Sequence, residues 1–208
     1  MTTATDISGF DNLPEAIPAP SPARPRLLLI ATALTSVAIA MGFAGLLGIY
    51  IETRAEVIQT GERWLPGSTV IPLTQPNMMA ITLLLAGYVI AWAVSSIRND
   101  DQGNTNVALG LTLMLGFAYL AQSAYLMTIM ELPAAGDTLA RPTLLYALVA
   151  AHMILVVAAM AFVAGTFFRT VGGNYSSRDV EGLYALAFFW GVTIVLYLAV
   201  WYAIYITK

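Results

Sequence analysis

His152 is the one side chain at membrane depth that could do acid–base or ligand chemistry. It lies in YALVAAHMILVVAAM, an otherwise apolar run. An imidazole there could relay protons or hold a metal ion. A metal needs further ligands, and the chain has no cysteine and no second histidine. That excludes disulfides, thiolate metal sites and iron–sulfur clusters, and, within this chain, a bis-histidine haem or a copper site of several imidazoles. The structural reading of His152 is a neutral imidazole hydrogen-bonded to a neighbouring helix or a lipid headgroup. The expense of a buried polar group without a partner favours it. Met127 and Met130 stand at i, i+3, but two thioethers are too few for a copper site. The nine methionines are scattered, as gap-filling core residues are. There is no Gly-rich phosphate loop with its Lys, no GxSxG elbow and no carboxylate pair at depth. The sequence assigns no catalytic residue and no metal ligand.

The elements that hold His152 are membrane spans. The 208 residues are 59% hydrophobic and 10% charged, with mean hydropathy +0.76, where a soluble domain carries about 25% charged residues. A net charge of -3 offers no basic surface for nucleic acid. Residues 1–26 are polar, hold five prolines and end in Arg24 and Arg26. They read as a flexible tail, and no short apolar run with a cleavage site marks a secretory signal. Residues 27–208 read as one domain of five spans: about Leu27 to Ile51, Asn77 to Ile97, Val107 to Met130, from after Arg141-Pro142 to Phe168, and Leu183 to Ile206. Each reaches the roughly 20 apolar residues that cross a bilayer of about 30 Å. Helices satisfy their own backbone groups in lipid, so the expected fold is all-α, an integral membrane bundle of five transmembrane helices.

The connections carry the charge. Glu52 and Arg54 are expected to close the first span, and Trp64, Pro66, Pro72 and Pro76 suggest an ordered surface turn after it. TVGGNYSSRD should be a short turn. An inside N-terminus places Arg24, Arg26, Arg98, Arg169 and Arg178 in the cytoplasm and Arg54, Arg63, Arg141 and Lys208 outside. The Arg pair before the first span decides for N-terminus inside. Arg54, Arg98 and Arg169 are candidates for lipid-headgroup or interface contacts, with simple anchoring by long cationic side chains as the plainer reading. Trp64, Trp92, Trp201, Tyr202 and Tyr205 fit an interfacial belt, whereas Phe188, Phe189 and Trp190 sit deeper and should pack on a neighbour. Gly42, Gly45 and Gly48 drift round one face of the first helix. Gly87, Gly110, Gly116 and the alanines of the fourth add further small surfaces. Close helix packing is the expectation, since lipid gives apolar helices no hydrophobic reason to associate. A gap for acyl chains or a small apolar gas is the alternative.

Five segments, in order, resemble subunit III of haem–copper oxidases in its short, five-span bacterial form. They are MGFAGLLGIYIETRA, WLPGSTVIPLTQPNMMAITLLLAG, GFAYLAQSAY, LLYALVAAHMILVVAAMAFV and NYSSRDVEGLYALAFFWGVTIVLYLAVWYAIYI. The likeness covers about residues 33–207 and rests on order and spacing rather than on any single motif. It implies a non-catalytic subunit of a cytochrome c oxidase-type complex in a bacterial plasma membrane. Such a subunit lies beside core subunits I and II, binds phospholipid and supports proton uptake and turnover stability, while haem and copper belong to the partners and none is bound here.

The departures from the family pattern are specific. Ile39 stands where the family carries an acidic residue, and Leu155 where it has a second histidine. Phe189-Trp190-Gly191-Val192 replaces an aromatic-Trp-His-Phe stretch, and no acidic residue stands near Tyr125. These losses fit a copy that keeps scaffold and lipid roles, or a subunit III-like partner of a nitric oxide reductase. A stand-alone transporter would ask for broken helices, a polar midplane or inverted repeats, which are not evident. A haem-free anchor of a quinone-linked dehydrogenase and a transient assembly factor are the remaining alternatives.

Overall fold

The computed structural model describes residues 26–64, 72–130 and 140–207. Apart from Arg26, the N-terminal tail lies outside them, as do Pro66 and Lys208. Within them are five long helices: α1 (Leu27–Gln59), α2 (Thr74–Arg98), α3 (Gln102–Ile129), α4 (Ala140–Val171) and α5 (Glu181–Trp201). The last continues into a π-helical turn, Tyr202–Ile206. All five are long and apolar enough to cross a membrane.

The helices outrun the apolar stretches. α1 does not stop at Ile51 but carries Glu52, Arg54 and Glu56 on two further turns to Gln59. At about 1.5 Å per residue its 33 residues measure about 50 Å, well beyond the hydrocarbon core. α3 starts at Gln102, five residues before Val107, because Asp101 caps it: its carboxylate accepts the Asn104 N–H at 3.0 Å. Capping at a polar residue starts a helix where apolar periodicity gives no sign of one.

Three helices stop in the same way. At the end of α1, Gly61 N–H bonds Ile58 C=O and Glu62 N–H bonds Val57 C=O. α4 repeats the pattern, Gly173 to Thr170 and Asn174 to Arg169. Both glycines have positive φ, the left-handed conformation that such a cap requires. α2 uses Asp100 in that role, with φ 57, its N–H on Ile97 C=O and that of Asp101 on Ser96 C=O.

α2, α3, α4 and α5 form a ring in which each packs on the next and α5 closes back on α2; α1 lies outside it, against α5 and α4. Half of the most apolar stretch of α5 is buried, against 17% of that of α1, which makes α5 the central helix. Leu83, Ala93, Leu109, Leu126, Val156, Val163 and Leu186 fill the core. Most hydroxyls inside the spans bond within their own helix: those of Thr32, Thr82, Thr112, Thr166, Thr170 and Thr193 each donate to the carbonyl four residues back. This back-bonding lets threonine sit in an apolar bundle.

Two expectations need correction. Among the described residues the Gly42, Gly45 and Gly48 face is not a packing seam, for none of them lies within 4 Å of where a Cβ would stand at any of the three. α1 touches the bundle through the opposite, bulkier side, with Phe43 and Tyr50 buried. The close approaches are at Gly87, 2.8 Å from Ile194 Cδ1, and at Gly116, 2.7 Å from Met160 Sδ. The aromatic belt is also narrower than expected. Trp92 and Tyr202 face outward, but Trp64 and Tyr205 are buried. Of the deeper aromatics, Phe189 and Trp190 are buried and Phe188 is exposed.

Candidate functional site

His152 lies in the middle of α4 with 1% of its surface exposed. Its Nε2 is 3.0 Å from the Thr193 carbonyl of α5, and its Nδ1 is 2.7 Å from the Tyr119 hydroxyl of α3. A carbonyl can only accept, so Nε2 carries the proton. Nδ1 is then the acceptor for the Tyr119 O–H, and the ring is neutral with both nitrogens satisfied. Three aromatic rings enclose it edge-on: Phe43 at 6.1 Å, Tyr119 at 5.5 Å and Tyr197 at 5.2 Å. Tyr197 in turn donates to Pro76 C=O at 2.6 Å. A proline in the first turn of α2 has no N–H to lose, and the hydroxyl of α5 binds its carbonyl.

This arrangement ties α3, α4 and α5 together. A proton passed from Tyr119 to Nδ1 could leave only through Nε2, and Nε2 faces a peptide carbonyl with no proton to hand on. No nitrogen is left for a headgroup or a metal. Among the described residues no group of three or more His, Asp or Glu side chains could hold a metal ion.

The arginines lie at the two ends. Arg54, near the end of α1, donates from Nη1 to Thr207 Oγ1 at 2.7 Å, and its Nε is buried without a partner. Arg98 is exposed in the last turn of α2, where a cation suits the helix dipole. It edges a shallow cleft of about 300 Å³ with Ala91, Val94, Ser95 and Asn99. Arg169 lies over the Tyr175 ring at 4.9 Å, a cation–π contact. Burial pushes the Tyr175 hydroxyl above its ordinary pKa, and Arg169 partly offsets this. Arg98 and Arg169 share one end of the bundle, Arg54 holds the other, and His152 sits between; the structure does not bring them into one site. The side chain of Arg141 is outside the described residues.

At the Arg98 end the loops are cross-linked. Asp100 accepts from Ser177 N–H at 2.7 Å and from Ser177 O–H at 2.8 Å. Those two bonds hold its carboxyl below the ordinary range, that from the backbone N–H foremost. Glu181 Oε1 accepts the Leu29 N–H at 3.1 Å, giving a carboxylate to the positive start of α1. Sequence reasoning missed Tyr119, Thr193, Asp100 and Glu181. Tyr119 and Thr193 stand 33 and 41 residues from His152, and nothing local links them. The one available signal was Tyr119 itself, a hydroxyl in an apolar run that must find a partner.

The positions where the resemblance marks departures are now located. Leu155 is buried in the core and Ile39 packs against it. Tyr125 faces outward, 57% exposed, and a Cβ at Gly191 would meet nothing within 4 Å. Leu155 and Ile39 thus put packing atoms where the resemblance places polar groups.

Comparison with known proteins agrees with this frame. The family model for cytochrome c oxidase subunit III matches residues 28–208. Cytochrome c oxidase subunit 3 of Oncorhynchus mykiss is 27% identical over 161 residues, covering 75% of this chain and 60% of that protein. The Homo sapiens protein of that name is 27% identical over 168 residues, 78% and 63% respectively. That of Struthio camelus is 25% identical over 152 residues, 71% and 56%. The chain spans about three fifths of the length of the curated relatives it matches. The match takes in all five helices and His152 with its partners, and on that extent the chain belongs to the cytochrome c oxidase subunit III family.

Proposed function

We propose that this chain is the non-catalytic subunit III of a haem–copper terminal oxidase in a bacterial plasma membrane, with its N-terminus in the cytoplasm. It stands beside core subunits I and II, which carry the haem and copper, and it binds phospholipid. The observation that carries this reading is the closed His152 set. The one group at depth suited to acid–base chemistry is spent on holding α3, α4 and α5 together, within helices whose family is a subunit of an oxidase. A chain so arranged contributes shape and stability while a partner does the chemistry. Arg98 and Arg178 at the end shared with Leu27, and the Arg24–Arg26 pair ahead of it, support the cytoplasmic N-terminus.

The test is purification of the full chain in mild detergent through a tag ahead of residue 27, followed by an optical spectrum and mass spectrometry. A haem-bearing core subunit in equal stoichiometry is the expected result. A colourless monomer or homo-oligomer from well-solubilised membranes overturns the proposal, and a substoichiometric core subunit assigns the chain to assembly instead.

A further inference from the structure

Tyr119 and His152 meet in a geometry that holding helices together does not require. A phenol bonded to a peptide carbonyl joins two helices as well, and the bundle uses that device at Tyr197, whose hydroxyl donates to Pro76 C=O at 2.6 Å. Tyr119 donates instead to Nδ1 of a neutral imidazole at 2.7 Å. An imidazole nitrogen takes up a proton near neutrality, which a peptide carbonyl does not. The basic lone pair is aimed at the phenol because the Thr193 carbonyl, 3.0 Å from Nε2, holds the proton of the other nitrogen. Tyr119 and His152 are each 1% exposed. The Tyr197 ring stands edge-on to both, 5.7 Å from Tyr119 and 5.2 Å from His152. Ser123, one turn along α3 and fully buried, lies beside the Tyr119 oxygen. A base in contact with a phenol, both sealed from water, is the arrangement that lets a phenol lose an electron and its proton together.

Proton transfer alone would set a phenolate against an imidazolium in an apolar interior, and the phenol is the weaker acid of the two. The proton therefore stays on Tyr119. Removal of an electron reverses that order, because an oxidised phenol is a strong acid. We propose that Tyr119 and His152 form a proton-coupled redox site, at which Tyr119 is reversibly oxidised by one electron to a neutral phenoxyl radical. The electron passes to a high-potential metal centre outside this chain, which is reduced by one. The Tyr119 O–H bond breaks, an N–H bond forms at Nδ1, and His152 becomes an imidazolium. Both ring nitrogens are then donors, one facing the phenoxyl oxygen and the other the Thr193 carbonyl. Neither oxygen hands the proton onward, so it returns to Tyr119 when the radical is re-reduced. The Ser123 hydroxyl can turn to donate to the phenoxyl oxygen. The groups that move the proton all belong to this chain, so the site goes beyond the oxidase role and does not rest on it.

The test uses the full chain in detergent, with a tag that contains no histidine. The chain has no cysteine, so Ile154→Cys gives a single attachment point for a maleimide-linked rhenium tricarbonyl photo-oxidant. Ile154 is 70% exposed and stands two residues from His152, which turns the label about 200° round α4 and away from the core. After a flash, the phenoxyl absorption band should appear and then decay as the reduced label returns its electron. Tyr119→Phe should remove that band. His152→Gln should slow its appearance about 100-fold, the lower end of what a positioned base contributes to proton transfer. A second measurement needs no substitution in the core. The chain holds one histidine, so histidine enriched in heavy nitrogen marks His152 alone. Pulsed electron paramagnetic resonance of the trapped radical should show coupling to that nitrogen. No phenoxyl band, an equal band in Tyr119→Phe, an equal rate in His152→Gln or an uncoupled radical each overturns the site.

Discussion

Tyr119 and His152 share one hydrogen bond of 2.7 Å, and the Thr193 carbonyl decides its direction. Tyr119→Phe removes the donor and leaves Nδ1 buried without a partner. His152→Leu removes the acceptor of the Tyr119 hydroxyl. Each single change should lower stability in detergent by about 1–2 kcal/mol, and the double variant should cost less than the sum, with a coupling of roughly 0.5–2 kcal/mol. Additive losses measured by thermal unfolding would show that the two side chains do not share that bond. If His152 has no role beyond this one, activity of the assembled complex should fall only as assembly falls. Among the glycines, Gly116→Leu should cost roughly 1–3 kcal/mol, because Met160 already fills the space. Gly42→Ala should leave the unfolding midpoint unchanged or slightly raised, since nothing is met there. Sequence alone singled out His152 and expected it to be hydrogen-bonded. It could not choose between a helix and a headgroup as partner, since that choice depends on which residues face position 152 from helices remote in sequence. The glycine triplet shows the reverse limit. A stripe of small residues looks alike whether its partner is the same chain or something else.

Between the helices, Asp100 carries an interaction whose strength depends on pH. Its carboxyl is held below its ordinary pKa by the Ser177 N–H and O–H. Its contribution is therefore complete above the unfolded value of roughly 4. It declines as pH falls below that value and is gone once pH passes below the folded one. Amide exchange at Ser177 should accelerate over that acid window and stay flat near neutrality. Asp100→Asn removes the charge yet tolerates the left-handed backbone of position 100. It should raise Ser177 exchange at neutral pH and abolish the acid step. An acid step that persists in Asp100→Asn would place its origin elsewhere. The spans themselves were legible from composition, because twenty apolar residues leave the backbone no other solution in lipid. Their ends were legible less well. Hydropathy marks where lipid stops, whereas Asp101, Gly61 and Gly173 mark where hydrogen bonding stops, and the two differ by up to eight residues at Gln59.

For the whole molecule, the helix order fixes which loops share a side. The α2–α3 and α4–α5 connections lie with the start of α1, and the end of α1 lies with the end of α5. The chain contains no cysteine, so single-cysteine variants report without background. Ser177→Cys should react with a membrane-impermeant maleimide only from the cytoplasmic side, and Thr60→Cys only from the opposite side. Reversed labelling would invert the proposed orientation, and labelling of both from one side would break the five-span topology. The number of spans could be read from residue types. The ring of four helices with α1 outside it could not, because amphipathic faces are weak when both the core and the surroundings are apolar.

The bond from Leu29 N–H to Glu181 has a consequence for how the protein is made. The first helix is held at its start by a residue 152 positions later, and it rests on α4 and α5 rather than on its neighbour in sequence. Of the five helices α1 is made first, yet it acquires its partners last. Until α4 and α5 emerge it has no packing partner in the bundle, and its start stays without the Glu181 carboxylate until residue 181 is made. Completion of the five-helix bundle thus waits for α5, and damage to α5 is felt first by α1.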